Sequence, residues 1–91
     1  MRIRVTYTSQ LRVAAGTSSE SFEFESDATV RDVAHASARR HGERLGSMML
    51  DETGAVLSWL MMSVNDQACF DADRPLADDD EVLFASPISG G

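Results

Sequence analysis

The sequence predicts an α+β fold in which one main helix packs on one face of a mixed sheet of four to five strands. Strand-like patterns occur in the N-terminal and C-terminal parts of the chain, and a segment between these parts has a helical pattern with a capping signal. The order is a hairpin, a helix and then two or three strands. The 91 residues are expected to form one domain over residues 1–85, followed by a flexible tail over residues 86–91.

The N-terminal quarter predicts two paired strands. Over residues 1–8 apolar side chains alternate with polar ones, the period-two pattern of a half-buried strand. Residues 11–16 are expected to lead into a turn at residues 16–19, which have turn chemistry. Phe22 and Phe24 then alternate with glutamates, which predicts a second strand that pairs back on the first.

The main helix is predicted from Thr29 to about His41. Thr29 and Asp32 have the spacing of a capping box, and apolar or small residues follow at helical spacing. Gly42 is a natural helix end, and three arginines nearby suit the helix dipole as a solvated basic end. His35 lies off the apolar stripe and is expected at the surface, whereas His41 is expected to cap the helix end.

The next segments predict a connection and then a buried strand. Residues 46–54 are expected to form a connection in which the apolar residues 48–50 pack against the body and residues 51–54 form a turn. Residues 56–64 are apolar on both faces, which favours a central strand covered on both sides. Trp59 is expected in the core together with Met48, Met49, Met61 and Met62.

The last third predicts a turn, an edge and a final strand. Residues 65–67 should turn the chain, and a short edge segment should carry Cys69 and Phe70. Residues 71–80 are expected to form an acidic loop. Residues 82–85 have the apolar character of the last strand.

Charge and composition exclude several classes of partner. Eight basic against fifteen acidic residues give a net charge of -7, which repels phosphate backbones and anionic lipids, so neither nucleic acid nor membrane is expected as a partner. All eight basic residues are arginine. The apolar runs are too short to span a bilayer, no signal core opens the chain, and a single cysteine suits a reducing compartment. We therefore expect a cytoplasmic protein.

Neither a catalytic site nor a metal site is expected. The two histidines and Cys69 do not have metal-ligand spacing, and the acidic run at residues 78–81 lacks the alternation and glycine of a calcium loop. No glycine-rich loop precedes the helix to hold phosphate. We expect no bound cofactor and no enzymatic activity of the chain itself.

The last two residues, Gly90 and Gly91, are the most informative feature. Glycines without side chains let a carboxylate pass through a narrow channel of another protein, in backbone conformations that other residues avoid. Five segments, including this ending, resemble the MoaD/ThiS family of ubiquitin-like sulfur carriers, and in particular its MoaD-like branch. They are residues 10–16, 28–33, 64–66, 75–82 and 87–91.

The resemblance spans the chain and implies a β-grasp, ubiquitin-like fold with a reactive end. In that family an E1-like enzyme of the MoeB/ThiF type uses ATP to adenylate the terminal glycine, and a sulfur donor converts the adenylate into a thiocarboxylate. Carried over, Gly91 is the reacting residue and Gly90 its threading spacer. The resemblance implies two kinds of sulfur acceptor, a molybdopterin synthase large subunit or an enzyme of the cysteine synthase type.

The surface for these partners is expected on the sheet face beside the tail and on the acidic turn. The predicted contact residues are Phe84, Ala85, Pro87, Ile88, Asp79 and Asp80. Asp79 stands where the family usually has glycine, and the turn is expected to survive because aspartate tolerates left-handed geometry better than most residues. Thr8 and Ala85 occupy positions where the molybdopterin synthase small subunit has large apolar residues, which weakens the case for that partner.

Two other functions remain open from the sequence. The chain could be a ubiquitin-like modifier joined through Gly91 to lysines of target proteins, and its lack of lysine forbids lysine-linked chains on itself. Alternatively, it could be a β-grasp binding module whose glycine ending plays no part. Loss of function on deletion of Gly90 and Gly91 is expected for a carrier or a modifier but not for a binding module.

Overall fold

A computed structural model describes residues 1–86, and in them a five-stranded mixed sheet has its helices packed on one face. The strands are β1 (Arg2–Tyr7), β2 (Ser19–Glu23), β3 (Met61–Val64), β4 (Gln67–Cys69) and β5 (Glu81–Ala85). The helices are α1 (Ser9–Ala15), α2 (Val30–His41) and α3 (Glu43–Met49). The predicted α+β class and main helix are confirmed, while α1 and α3 are additional. Of the predicted tail, only Ser86 lies within the described residues.

The strand order is β2-β1-β5-β3-β4, so the last strand in the sequence lies at the centre of the sheet. β1 and β5 run parallel, whereas β1–β2, β3–β5 and β3–β4 are antiparallel. The predicted pairing of the first two strands is confirmed. This order places the strand that leads to the tail between two neighbours that hold it on both sides.

Helix α2 forms as its capping signal predicts. The Thr29 hydroxyl accepts a hydrogen bond from the Asp32 amide at 3.2 Å, and the Asp32 carboxylate accepts one from the Thr29 amide at 2.9 Å. The helix ends at His41, and Gly42 follows with a φ of 92°, a conformation that favours glycine. The buried face of α2 packs on the sheet through Val30, Val33, Ala34 and Ser37.

The segment predicted to lead into a turn contains helix α1 instead. Leu11 and Ala15, four residues apart, are buried on its inner side, and Gly16 ends the helix with a φ of 75°. β1 and β2 are therefore joined through a helix rather than a tight turn. Seven residues are too few for a clear helical period in the sequence, and burial against the core decides the conformation.

Helix α3 likewise replaces the first part of the connection predicted over residues 46–54. Leu45 and Met49, again four residues apart, are completely buried. The turn predicted at the end of this segment is confirmed, because the Asp51 carboxylate accepts hydrogen bonds from the Thr53 and Ala55 amides at 2.8 and 3.1 Å. This turn brings the chain back toward β3.

The central strand predicted over residues 56–64 is wrong in extent, position and burial. Strand β3 begins only at Met61 and lies between β5 and the edge strand β4. Trp59 is 47% exposed and Met61 54% exposed, so neither belongs to the core. The helices of the described residues cover only one face of the sheet, which leaves the apolar side chains on the other face open.

The end of the described chain follows the prediction more closely. Asn65 and Asp66 form the turn between β3 and β4, with φ values of 51° and 68° that suit a two-residue hairpin. β4 is the edge strand and its Cys69 is buried. The acidic loop that follows is held by the buried Leu76, whose amide donates to the Ala28 carbonyl at 2.9 Å.

Candidate functional site

The site is built around the end of β5, where the chain continues into residues 87–91. Phe84 and Tyr7 are paired in the parallel β1–β5 ladder, and Ala85 is paired with Met61 on the antiparallel side. The Thr8 amide also donates to the Phe84 carbonyl at 3.2 Å. Ala85 and Ser86 are therefore the root of the tail. The predicted site residues Pro87, Ile88, Gly90 and Gly91 lie outside the described residues.

The open face of the sheet near this root has small and polar side chains on both sides of Leu83. The register places Thr6 beside Leu83 and Ser63 on the other side of Leu83. Ala85 is half-buried, and one step beyond the Tyr7–Phe84 pair its neighbour is Thr8, the residue that follows β1. Thr8 and Ala85 thus lie side by side at the tail end of the sheet, and neither supplies a large apolar contact.

Phe84 cannot present its side chain to a partner on this face, which corrects its predicted role. Its side chain is 0% exposed and belongs to the core cluster under the helices. Successive residues of a strand point to opposite faces, so Val82 and Phe84 point inward while Leu83 and Ala85 point to the open face. The period-two pattern of β5 in the sequence already contained this distinction, and it places Leu83 on the open face.

An exposed apolar cluster beside the root was missed in the sequence. Trp59, Met61 and Phe70 line one depression at the β3–β4 edge of the sheet, and we call them the β3–β4 patch. Phe70 is 93% exposed, the most exposed of the large apolar residues in the described part of the chain. The signal was present as alternation, since Trp59 and Met61 flank the buried Leu60.

The acidic turn lies at the opposite end of β5 from the tail, so it does not form one surface with the root. β5 has five residues, which separates its two ends by about 13 Å. Asp79 and Asp80 precede its first residue, Glu81. Asp79 adopts a φ of 68°, so the turn survives without the glycine that the resemblance implies.

Most of the carboxylates in this turn are engaged in holding the turn itself. Asp80 accepts hydrogen bonds from the Asn65 side chain at 2.9 Å and from the Ala77 amide at 2.8 Å. Asp78 accepts one from the Arg2 amide at 2.8 Å. Asp79 is exposed at the tip, which leaves it as the residue of this turn that is best placed to meet a partner.

Behind the sheet, a polar cluster joins β1, β2 and α2. The Tyr7 hydroxyl donates to the Glu20 carboxylate at 2.6 Å and is also hydrogen-bonded to the Ser37 hydroxyl at 2.8 Å. Arg40 donates a hydrogen bond to the Glu20 carboxylate at 3.1 Å, and the His41 Nε2 atom lies 2.6 Å from the other oxygen of the same carboxylate. His41 therefore contacts a strand instead of capping its own helix, which corrects the prediction.

Protonation in this cluster follows from its contacts. Burial and the hydrogen bond to Glu20 raise the pKa of Tyr7, so its hydroxyl keeps its proton and acts as a donor. Burial acts to raise the pKa of Glu20, but hydrogen bonds from Tyr7, His41 and Arg40 outweigh it and lower that pKa below its ordinary value. The cluster is a structural clamp around an ionised carboxylate.

His35 is also more engaged than its sequence position predicts. Its Nε2 atom lies 2.7 Å from the Gly54 carbonyl, and the side chain is half-buried rather than a free surface residue. Within residues 1–86, no three His, Cys, Asp or Glu side chains come together as a set that could hold a metal ion. None of the helices described in these residues is long and apolar enough to cross a membrane.

The sequence as a whole matches a known family. The model of the ThiS family matches residues 5–91, which include β5 and the Gly-Gly ending. The chain belongs to the ThiS family. This ThiS-family chain is thus one of the ubiquitin-like sulfur carrier and modifier proteins, which are small proteins and not catalysts themselves. No protein with a curated function matches the sequence significantly.

Solved structures share the fold over nearly the whole length. SAMP1 from Haloferax volcanii has a TM-score of 0.88 at 24% identity, with 100% of both chains covered. A putative molybdopterin converting factor subunit 1 from Pyrococcus furiosus has a TM-score of 0.75 at 26% identity, covering 97% of this chain and 99% of that one. A chain of the Amycolatopsis orientalis BexX/CysO complex has a TM-score of 0.72 at 21% identity, covering 98% and 99%. The β-grasp, ubiquitin-like fold is confirmed.

Proposed function

We propose that this ThiS-family protein is a sulfur carrier whose Gly91 carboxylate is activated by an E1-like enzyme of the MoeB/ThiF type. The observation that carries the proposal is the family match, which extends from residue 5 in β1 to Gly91. The described residues offer a rigid body with one strand leading from its centre to the Gly-Gly ending. The activating enzyme can bind this body while the reaction takes place at the end of the chain.

The proposed reaction has two steps, and both take place in the partner. A Gly91 carboxylate oxygen attacks the α-phosphorus of ATP, and pyrophosphate leaves, so that a poor electrophile becomes an acyl adenylate. A sulfur nucleophile at the oxidation level of sulfide then attacks the acyl carbon, and AMP leaves. The product is a thiocarboxylate on Gly91, and the chain itself needs no cofactor because ATP is bound by the activating enzyme.

The acceptor of the sulfur is proposed from the relatives and the sheet surface. The relatives include a putative molybdopterin converting factor subunit and a CysO chain in a complex with BexX. We propose a cytoplasmic acceptor enzyme of the molybdopterin synthase or cysteine synthase type. The small side chains of Thr8 and Ala85 at the tail end of the sheet favour the second type, since they offer little area to a partner that needs large apolar contacts.

Activation can be tested by ATP–pyrophosphate exchange with the purified E1-like enzyme of the same genome. The unsubstituted protein should support exchange that depends on its concentration, and deletion of Gly90 and Gly91 should abolish it. Ser89→Ala is the matched control, since it alters the tail but keeps both glycines. Exchange that continues after the deletion would leave only the binding-module function.

A second function, protein modification, is favoured by one observation. SAMP1, a small archaeal modifier protein by name, has the same fold over the full length of this chain. The lysine amine of a target protein could equally attack the acyl carbon of the Gly91 adenylate, so that an amide forms and AMP leaves. Mass spectrometry of cellular proteins for Gly-Gly remnants on lysine tests this function. Because this chain contains no lysine, such remnants should appear on other proteins and not on itself.

A further inference from the structure

We propose that the β3–β4 patch is the docking surface for the enzyme that activates Gly91. This inference rests on the proposed function, because it assigns the surface by which the same partner holds the body. The patch consists of Trp59, Met61 and Phe70, which line one depression at the β3–β4 edge of the sheet. The partner is a different protein with an apolar recess and a cationic border.

The reach of the tail places the docking surface near the root. Five residues follow Ser86, and even fully extended they span no more than about 18 Å. A partner whose active site receives Gly91 must therefore contact the body close to Ala85. Met61 lies directly opposite Ala85 on the neighbouring strand. Phe70 follows the Met62–Cys69 pair on β4, about two strand spacings or 10 Å from the root.

The side chains of the patch are the types that anchor protein interfaces. Aromatic residues and methionine are enriched at interface cores, and a few buried aromatic anchors supply most of the binding energy. Phe70 is 93% exposed and Trp59 47% exposed, so both have area to bury on binding. At the centre of the open face Leu83 is half-buried between Thr6 and Ser63, so it has less exposed area to offer than the aromatic residues of the patch.

Charge argues against a second copy of this chain as the occupant of the patch. Each copy has a net charge of -7, so two copies repel each other. Asp71 is exposed and directly follows Phe70, which adds negative charge at the border of the patch. A heterologous partner with cationic side chains around an apolar recess complements both features.

The test separates docking from chemistry by comparing KM with kcat. Phe70→Asp removes one anchor, and its site is exposed enough that the fold should tolerate it. Val13→Asp is the matched control, because Val13 is a 57% exposed apolar residue on α1 and not in the patch. In ATP–pyrophosphate exchange with the E1-like enzyme, Phe70→Asp should raise the KM for the carrier about tenfold and leave kcat unchanged. Val13→Asp should change neither constant by more than about twofold.

A binding measurement without ATP reads the same contact directly. The chain has one tryptophan, so labelling with 5-fluorotryptophan gives one ¹⁹F resonance, from Trp59. Titration with the E1-like enzyme should shift or broaden this resonance, and in Phe70→Asp the same enzyme concentration should leave it almost unchanged. An unchanged KM for Phe70→Asp, together with an unshifted Trp59 resonance in an active carrier, would overturn the docking proposal alone. No exchange with the unsubstituted protein would overturn the activation proposal and this inference together.

Discussion

Tyr7 on β1 and Glu20 on β2 are joined by a 2.6 Å hydrogen bond on the helix side of the sheet. The same carboxylate is held by Arg40 and His41 from the end of α2. These contacts tie the two strands to the main helix through one partly buried group. They stiffen the body behind the open face, which the proposed function requires to stay fixed while a partner works on the tail.

Removal of the Tyr7 hydroxyl should destabilise the fold. Tyr7→Phe keeps the ring and its edge-to-face contact with His41, whose centroid is 6.0 Å away, but removes the donor to Glu20 and the partner of Ser37. We expect the free energy of unfolding in urea to fall by about 1–3 kcal/mol, because buried groups lose hydrogen bonds. Ser47→Ala, which removes an exposed helix hydroxyl, should change it by less than about 0.5 kcal/mol. Equal stability of the two variants would contradict the clamp.

The contribution of Glu20 to stability should depend on pH with a definite sign. Its pKa is lowered in the folded protein from the ordinary value of 4.5, by hydrogen bonds that outweigh burial. Its stabilising effect is therefore fully present above the unfolded pKa and is lost as the pH falls through the lower folded pKa. The difference in unfolding free energy between the unsubstituted protein and Glu20→Gln should be largest near neutral pH and shrink below about pH 4.5.

Unfolding curves at a series of pH values measure this difference. Glu23→Gln is the matched control, because Glu23 is an exposed carboxylate on the same strand. Its stability difference should stay small throughout the series. A Glu20→Gln difference that is constant from neutral to acidic pH would show that the ionised carboxylate contributes nothing to the clamp.

The acidic turn should become more stable when its left-handed residue is replaced. Asp79 has a φ of 68°, a conformation in which glycine has no steric cost, so Asp79→Gly should raise the free energy of unfolding by up to about 1 kcal/mol. Asp78→Gly is the control and should lower it, because the Asp78 carboxylate accepts a hydrogen bond from the Arg2 amide. Thermal melting of both variants checks the pair. A lower melting temperature for Asp79→Gly would mean that its side chain holds the turn.

The sequence predicted the elements whose signals are local. The Thr29–Asp32 capping box and the Gly42 helix end are present in the structure as expected. The alternation over residues 1–8 correctly predicted a half-buried strand, and in β1 the apolar Ile3, Val5 and Tyr7 are the buried residues. Such patterns depend on neighbouring residues and the period of one element, so they can be recognised without knowledge of the fold.

Features decided by tertiary contacts were not predictable in the same way. α1 and α3 are short helices that exist because pairs such as Leu45 and Met49 are buried against the core. The exposure of Trp59 follows from the absence of a helix layer on the open face among the described residues. At the site, Leu83 rather than Phe84 points to the open face, and the distance between the acidic turn and the root follows from the direction of β5.

The most direct test of the account is the intact mass of the protein after reaction with the E1-like enzyme, ATP and a sulfur donor. We predict the mass increase of one sulfur replacing one oxygen, located by fragmentation at Gly91, and no change when Gly90 and Gly91 are deleted. An unchanged mass of the full chain with every E1-like enzyme of the same genome would contradict the proposal that it is a sulfur carrier.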